Sequence, residues 1–419
     1  MAKKSKKLVE LQQSINDEEM SCDVEDLNVK ELRILRKNMD NLTDSRNSTS
    51  YQEMGDIVII VLLSTLANCN DFVEIYEYAV RKISIFKQFC KLEYGIPSLS
   101  TIKRVIAIID TKELESICLK FIKRIVRKTA NNEEQEKKVF SYDGKTIKGS
   151  ARKDLKNGKQ KPVNAMTAYN TTDNICLKTE YIEKKTNEIP TMLELLECLN
   201  LRNTISTFDA LNTQQKTIKK IVSKHGDYVA PVKGNHKLLY EDLVDYFNDE
   251  ELKKKAKEKG YITIEEKAHN QYEKREYILT DDIAWIDEKD SWANLKTIGI
   301  CIRTCVDKNE NKTVEKRYYI TSLSVEEIEN FKKAVRDEWK IENNLHWHLD
   351  YTFKEDTNLT VDRNAQQNLN IVRKVCLSLL KIAKPLYPNK SLKKMRFILN
   401  CDFENEMVKM LNFIDNGGF

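Results

Sequence analysis

Three acidic residues stand where chemistry could be done. Asp143 ends a predicted strand in FSYDGKTIKGS, and Asp209 ends another in ISTFDALNT. Glu342 lies on a predicted helix in RDEWKIENNLHWHLD. If the two strands are neighbours, their terminal carboxylates sit side by side. Three convergent carboxylates suit Mg²⁺, a hard cation that takes oxygen ligands and keeps several waters. Two such ions roughly 4 Å apart can activate an attacking oxygen and stabilise the leaving one at a phosphodiester. A plainer reading stays open. With 65 Asp and Glu in the chain, carboxylates at strand ends are common, and spacing alone does not make a triad.

Other residues carry paired readings. Glu338, Glu342, His346 and Asp350 recur every four residues, beside an apolar stripe of Ile341, Leu345 and Leu349. The polar stripe either faces metals and DNA, with Asp350 as a further metal ligand, or is a solvated helix face. Like charges at i, i+4 repel by roughly 0.2–0.5 kcal/mol, a cost that a bound cation removes. Lys145, Lys148, Arg152 and Lys153 follow Asp143, and Lys233 ends a later strand. They are phosphate contacts beside a phosphodiester site, or ordinary basic loops. SLSTIKRV, Ser98 to Val105, is either a recognition helix presenting Lys103 and Arg104 or a plain bundle helix. His346 and His348 do not share a helix face and make a poor zinc pair. Trp339 and Trp347 read as core or DNA-stacking groups. The run KKKAKEK at 253–259 reads as a solvated face.

The elements that must position these residues follow from periodicity. Residues 1 to about 50 are polar, with a helix expected around Val24 to Met39. Residues 51–128 read as helical, with Ser98 and Ser100 as candidate N-caps. A polar linker, RKTANNEEQEKK, runs up to Lys138. Strands are expected at 139–142, 163–169, 175–182, 204–208 and 228–232, with helices at 191–201 and 213–223. That order implies a mixed sheet flanked by helices. A helix over 236–259, strand-rich sequence over 260–322, and helices over 325–353 and about 365–384 complete the chain.

Composition narrows the class. The chain has 419 residues, 41% hydrophobic and 32% charged, with 11 Gly and 6 Pro. It reads as globular, not collagen-like or low-complexity. A net charge of +5 allows a polyanionic partner without requiring one. The longest apolar run, Ile57 to Ala67, is shorter than the roughly 20 residues of a membrane span and reads as a buried helix. No apolar segment follows the basic start, so no secretory signal is expected. Ten cysteines without a CxxC read as free thiols in a reducing cytoplasm.

The local strings are similar to one family, the DDE transposases of the H-repeat-associated, or ISAs-one, insertion-sequence type. DGKTIKGS resembles the first-Asp motif and FDALNTQ the second, with Gln214 five residues after Asp209. YVAPVKGNHKLL resembles a Val-Lys-Gly-Asn stretch. AHNQYEKREY resembles a His, Glu, Arg pattern carried by His269, Glu273 and Arg275. WKIENNLHWHLDYTFKED resembles the most specific block, and NLNIVRK the closing one through Asn368, Leu369 and Arg373. DSRNSTSY and GIPSLSTIKRV resemble the accompanying N-terminal domain. The resemblance covers about residues 40 to 385. Three positions depart from it: Glu338 where the family has His, His236 where it has Gln, and His348 where it has a hydrophobic residue.

The resemblance implies an α/β (α+β) fold with a ribonuclease-H-like core at 138–250 and 323–385. A β-rich insertion would occupy 251–322, an α-helical, possibly DNA-binding N-terminal domain 1–130, and a C-terminal tail 386–419. It implies a transposase that cleaves double-stranded DNA at element ends and joins the freed 3′-OH to target DNA. Asp143, Asp209 and Glu342 would hold two Mg²⁺, with Mn²⁺ as a substitute, in a homodimer on DNA away from any membrane. A host-retained DDE-fold nuclease without strand transfer and a non-catalytic DNA-binding relic are the alternatives.

Overall fold

The computed structural model describes residues 30–46, 50–129, 136–155, 158–182, 188–268 and 271–417. The expected N-terminal helix is seen there as α1 (Lys30–Asn38), and its positions 24–29 lie outside the described residues, as does His269.

A nine-stranded sheet organises the chain. Its strands are β1 (Lys138–Ile147), β4 (Val163–Asn170), β5 (Ile175–Ile182), β6 (Thr204–Phe208), β7 (Asp227–Val232), β8 (Tyr261–Ala268), β9 (Gln271–Thr280), β10 (Thr297–Val306) and β11 (Lys312–Thr321). A small hairpin, β2 (Arg152–Leu155) with β3 (Gly158–Gln160), stands apart. The order across the sheet is β5-β4-β1-β6-β7-β11-β10-β9-β8. β4 runs antiparallel to β1, whereas β6 is parallel to β1 and β7 to β6. This is the ribonuclease-H-like arrangement, with β1 central. The strands of 261–321 continue the same sheet, because β11 pairs antiparallel with β7 through Tyr318↔Val232 to Thr321↔Val229.

Alternation along the strands decides what each face carries. Phe140, Tyr142 and Phe208 point into the large core on one face, whereas Val139 and Ile205 point into a smaller core on the other. By the same parity Ser141, Asp143, Thr207 and Asp209 belong to the second face. So do Tyr277, Cys301 and Tyr319 further along the sheet.

Helices close both faces. The N-terminal set is α1, α2 (Met54–Leu66), α3 (Phe72–Arg81), α4 (Ile83–Phe86), α5 (Leu99–Ile108) and α6 (Thr111–Thr129). Every residue of α2 is buried, as its unbroken apolar run requires. α7 (Glu188–Glu197), α8 (Gln215–Ser223), α9 (Lys237–Asn248) and α10 (Glu250–Lys259) follow the strands. Then come α11 (Ile328–Asp337), α12 (Trp347–Tyr351), α13 (Arg363–Ile382), α14 (Leu392–Cys401) and α15 (Val408–Asp415). α11 covers the smaller core through Phe331, Ala334 and Val335. The C-terminal stretch is helical as well, and Arg396 of α14 is fully buried on the carbonyls of Thr65, Cys69 and Thr352.

α13 joins the two halves. Asp362 caps it at Ala365 N, 2.7 Å away. Toward the sheet, Lys374 Nζ donates to Thr179 Oγ1 at 2.6 Å and Thr167 Oγ1 at 3.3 Å. Toward the N-terminal helices, Asn368 Nδ2 donates to the Ile106 and Ile109 carbonyls at 2.8 and 2.9 Å. Those carbonyls lie at the end of α5, where an α-helix leaves acceptors without partners. Among the described residues, no helix is long and apolar enough to cross a membrane, and the described cysteines are free.

Candidate active site

Strand β1, the end of β6 and one helix build the site; Asp143, expected at a strand end, lies inside β1 opposite Thr167 of β4, because β1 runs on to Ile147. Tyr142 of β1 pairs with Phe208 of β6 in parallel register, so Asp143 and Asp209 each stand one residue beyond the last pair, side by side. Asp143 Oδ1 accepts from Gly144 N at 2.8 Å. Asp209 Oδ1 accepts from Asn212 N at 3.1 Å and from Asn212 Nδ2 at 2.8 Å, which fixes the turn leaving β6. The next layer holds that turn: Asn235 Nδ2 donates to Ala210 O at 2.8 Å, and Thr213 Oγ1 to Pro231 O at 2.7 Å.

Glu342 begins a π-helical turn, Glu342–His346, between α11 and α12. The Trp347 amide closes the wide turn on the Glu342 carbonyl. Such turns insert one residue into a helix and recur at functional sites. Here the turn places His346 Nδ1 3.1 Å from Glu342 Oε2 and 3.2 Å from Asp143 Oδ2. One ligand atom from each of Asp143, Glu342 and His346 lies within 4.8 Å of the others. The segment is tied to the central strand by Ser141 Oγ, which donates to Asp337 O at 2.8 Å.

The electrostatics match this geometry. Burial works against a charged His346 ring, but Asp143 and Glu342 outweigh it and raise its pKa above the usual imidazole value. The hydrogen bond from His346 holds the Glu342 carboxyl below the usual range. His346 Nε2 is buried without a hydrogen-bond partner, so the ring is committed to the carboxylates through Nδ1. The Asp143 and Glu342 carboxylates offer oxygens that fit a divalent cation, with the His346 ring between them.

Comparison with known proteins identifies the family. The family model "Transposase DDE domain" matches residues 134–379, and the model "DDE_Tnp_1-associated" matches residues 37–122. This chain belongs to the DDE transposase family. It is 28% identical over 361 residues to "Putative transposase YncI" of Escherichia coli O157:H7, covering 85% of this chain and 89% of that one. An H repeat-associated relative of E. coli K12, YhhI, is 26% identical over 355 residues, covering 84% of this chain and 91% of its own. A cryo-EM structure of a piggyBac transposase synaptic complex with hairpin DNA aligns over 94% of this chain and 85% of that one. Its sequence identity is 8% and its TM-score 0.40.

Within this DDE transposase the other expected site residues fall into three groups. Asp209 stands beside the Asp143, Glu342 and His346 group but outside it. Asp350 turns away and takes the Lys145 ammonium at 2.5 Å. Lys145 also binds Glu355 at 2.9 Å and is buried between them. Expected to touch phosphate, it is committed to an ion cluster that is closed on the Glu355 side and open to solvent at Asp350. Lys233, Lys103 and Arg104 are exposed. Lys148 is exposed too, its backbone amide held by Asp356 Oδ1 at 2.9 Å, and Arg152 opens β2.

The three departures from the family strings have local explanations. His236 Nε2 meets the Thr213 carbonyl at 2.5 Å, a contact that a Gln side-chain amide can also make. Burial pushes the His348 ring down to about 4, so it is neutral at pH 7 and serves as a weakly polar packing group. Burial pushes Glu338 up to about 7, against Arg317 and Lys233 and with the Asp209 carboxylate. His346 is the site residue that sequence reasoning left in the background. Its signal was the four-residue spacing from Glu342.

Proposed function

We propose that the protein cuts DNA at the ends of a mobile element and joins the freed 3′-OH to target DNA. The observation that carries this reading is the convergence of Asp143, Glu342 and His346 beside Asp209 on the central strands of a DDE transposase domain. Asp143, Asp209 and Glu342 would hold divalent cations, Mg²⁺ with Mn²⁺ as a substitute. Such cations would supply activation of the attacking oxygen and neutralisation of the leaving one at phosphorus. His346 fixes the separation of Asp143 and Glu342, and Asn212 fixes the rotamer of Asp209. Lys233, exposed at the end of β7, and Lys103 and Arg104 on α5 contact phosphates of duplex DNA. A homodimer on DNA would bring two element ends together.

The test uses labelled duplexes carrying the element ends, with Mg²⁺ and a target plasmid. Wild-type protein should give end cleavage and joined products. Asp143→Asn, Asp209→Asn and Glu342→Gln should each lose both by more than about 100-fold, since even an indirect metal partner is worth 10–100-fold in affinity or activity. Near-normal cleavage by any one variant removes that residue from the site. Cleavage without joining would assign a nuclease role instead, and DNA binding without cleavage a relic.

A further inference from the structure

The sheet face that carries Asp143 and Asp209 continues into a groove of about 970 Å³. Its floor is one face of β9, β10 and β11. Arg303 stands opposite Arg275 on one side and Glu315 on the other. In the next row Cys301 stands opposite Tyr277 and Arg317. Its wall is α11 and the turn after it, which contribute Lys333, Arg336, Trp339 and Lys340. In all, seven Lys or Arg line it against four Asp or Glu.

Two features set this groove apart from an ordinary charged surface. Arginines placed directly opposite each other on neighbouring strands repel, and Arg275 and Arg303 share the carboxylate of Glu273, at 2.5 and 2.6 Å, with Glu266 and Glu315 farther off at 4.0 and 3.9 Å. Trp339, half exposed, presents its ring beside the Arg317 guanidinium, whose carbon lies 4.8 Å from the ring centroid. A large aromatic face left in solvent beside cations is the combination that holds an unpaired base and its phosphates.

The groove is continuous with the site. Trp339 precedes Glu342 by three residues, and Asn343, which follows Glu342, lines the groove. The remaining cations rest on carboxylates, Arg336 on Glu266 at 2.9 Å and Arg317 on Glu315 at 2.7 Å. Exposed ion pairs hold little free energy, so a phosphate can take the carboxylate's place. The Glu273 and Arg275 string, expected from sequence to matter, lies here and not at the metal ligands.

We infer that this groove is the track for a DNA strand beside the cleaved phosphodiester, with Arg275, Arg303 and Lys333 contacting phosphates and Trp339 stacking on an unpaired base. The inference rests on the DNA-cleaving reading above and adds the path and the stacking residue. A single-stranded or frayed end fits better than an intact duplex, because Trp339 needs an exposed base face.

The test is fluorescence anisotropy with two labelled probes, a 20-mer single strand and the same sequence as a duplex with a frayed end, across a salt series. The variants are Arg275→Gln/Arg303→Gln/Lys333→Gln together, Arg303→Gln alone, and Trp339→Ala, each first matched to wild type in circular dichroism. Lys254→Gln/Lys255→Gln on α10, outside the groove, is the control. The triple variant should weaken both probes by ~10-fold or more and lower the salt slope by about 2, as lost phosphate contacts require. Arg303→Gln should do a fraction of this. Trp339→Ala should weaken the single strand more than the frayed-end duplex, and should remove the quenching of tryptophan fluorescence by the single strand. A triple variant that keeps wild-type affinity and salt slope overturns the track, and unchanged quenching in Trp339→Ala overturns the stacking role. If wild-type protein binds neither probe at low salt, the DNA-cleaving reading fails instead.

Discussion

Two charged clusters lie side by side on β1 and the helices facing it, and they are built to opposite ends. Around Lys145 every charge is answered by the protein. Its ammonium sits between Asp350 and Glu355, and Glu355 also takes Arg373 at 3.6 Å and Asn370 at 2.7 Å. Glu355 is fully buried and held down at about 2 by Lys145 and Arg373, despite the opposing effect of burial. Two residues earlier on the same strand face, Asp143 meets the His346 ring and its own neighbour's amide. Glu342 and Asp209 are exposed to solvent. The Lys145 cluster supplies its own cations, whereas in the open one the Asp143, Asp209 and Glu342 carboxylates face a single imidazole. The first is a structural clamp, and the second has the chemistry of a metal site.

The largest effect should come from the clamp. Lys145→Met leaves Asp350 without its cation and the fully buried Glu355 with Arg373 alone, and breaking such a cluster costs about 3 kcal/mol or more. Urea denaturation should show that loss, while Asp143→Asn should change stability by less than about 1 kcal/mol. Equal losses would erase the distinction between the clusters.

Acid should separate them next. Lys145 and Arg373 hold Glu355 below the ordinary carboxylate value of 4.5, so its contribution is full above pH 4.5 and fades as pH falls toward 2. Linkage makes this on the order of 3 kcal/mol. In acid melts Glu355→Gln should flatten the wild-type decline over that window. A decline of the same slope in both proteins would assign it to other groups.

Metal should act on the open cluster alone. Saturating Mn²⁺ or Mg²⁺ should raise the melting temperature of the wild type, since a ligand at about 100 times its Kd adds about 2.7 kcal/mol. Asp143→Asn and Glu342→Gln should shrink that shift, and Asp350→Asn should leave it intact, because Asp350 faces Lys145. A shift lost in Asp350→Asn would move the metal toward the clamp.

The smallest effect concerns Glu338. Its folded pKa is raised to about 7 from 4.5, so its contribution is full below pH 4.5 and is lost as pH rises through 7. Glu338→Gln should therefore stabilise the metal-free protein by about 1 kcal/mol at pH 8 and not at pH 4. Thermal melts at the two pH values check this.

Much of this was legible in the chain. Period-two runs marked the strands, and strand β6 was expected over the residues it occupies, 204–208. The apolar run of α2 implied complete burial, and so it is. Asp143, Asp209 and Glu342 stood out because motif strings are local, although Asp143, expected at a strand end, lies inside β1. The C-terminal helices were not read, because 386–419 was taken as a tail. α14 is buried chiefly through contacts far along the chain, such as Arg396 with Thr65. The four-residue stripe was legible as a pattern but not in its outcome. An unbroken α-helix would keep Glu338, Glu342, His346 and Asp350 on one face, and the π turn adds a residue between Glu342 and Asp350.

The sequence by itself determined the elements, the family and the acidic residues, because propensity, periodicity and motif strings depend on near neighbours. Only the tertiary structure decided how the charges pair. Lys145 looked like a phosphate contact in its own loop and became a buried clamp because Asp350 and Glu355 fold back onto it from more than 200 residues away. His346 looked like one member of a polar stripe and became the bridge between two carboxylates because β1 brings Asp143 under the π turn. Coulomb interactions depend on distance in space and on exclusion of water, and neither is written in the order of residues along the chain.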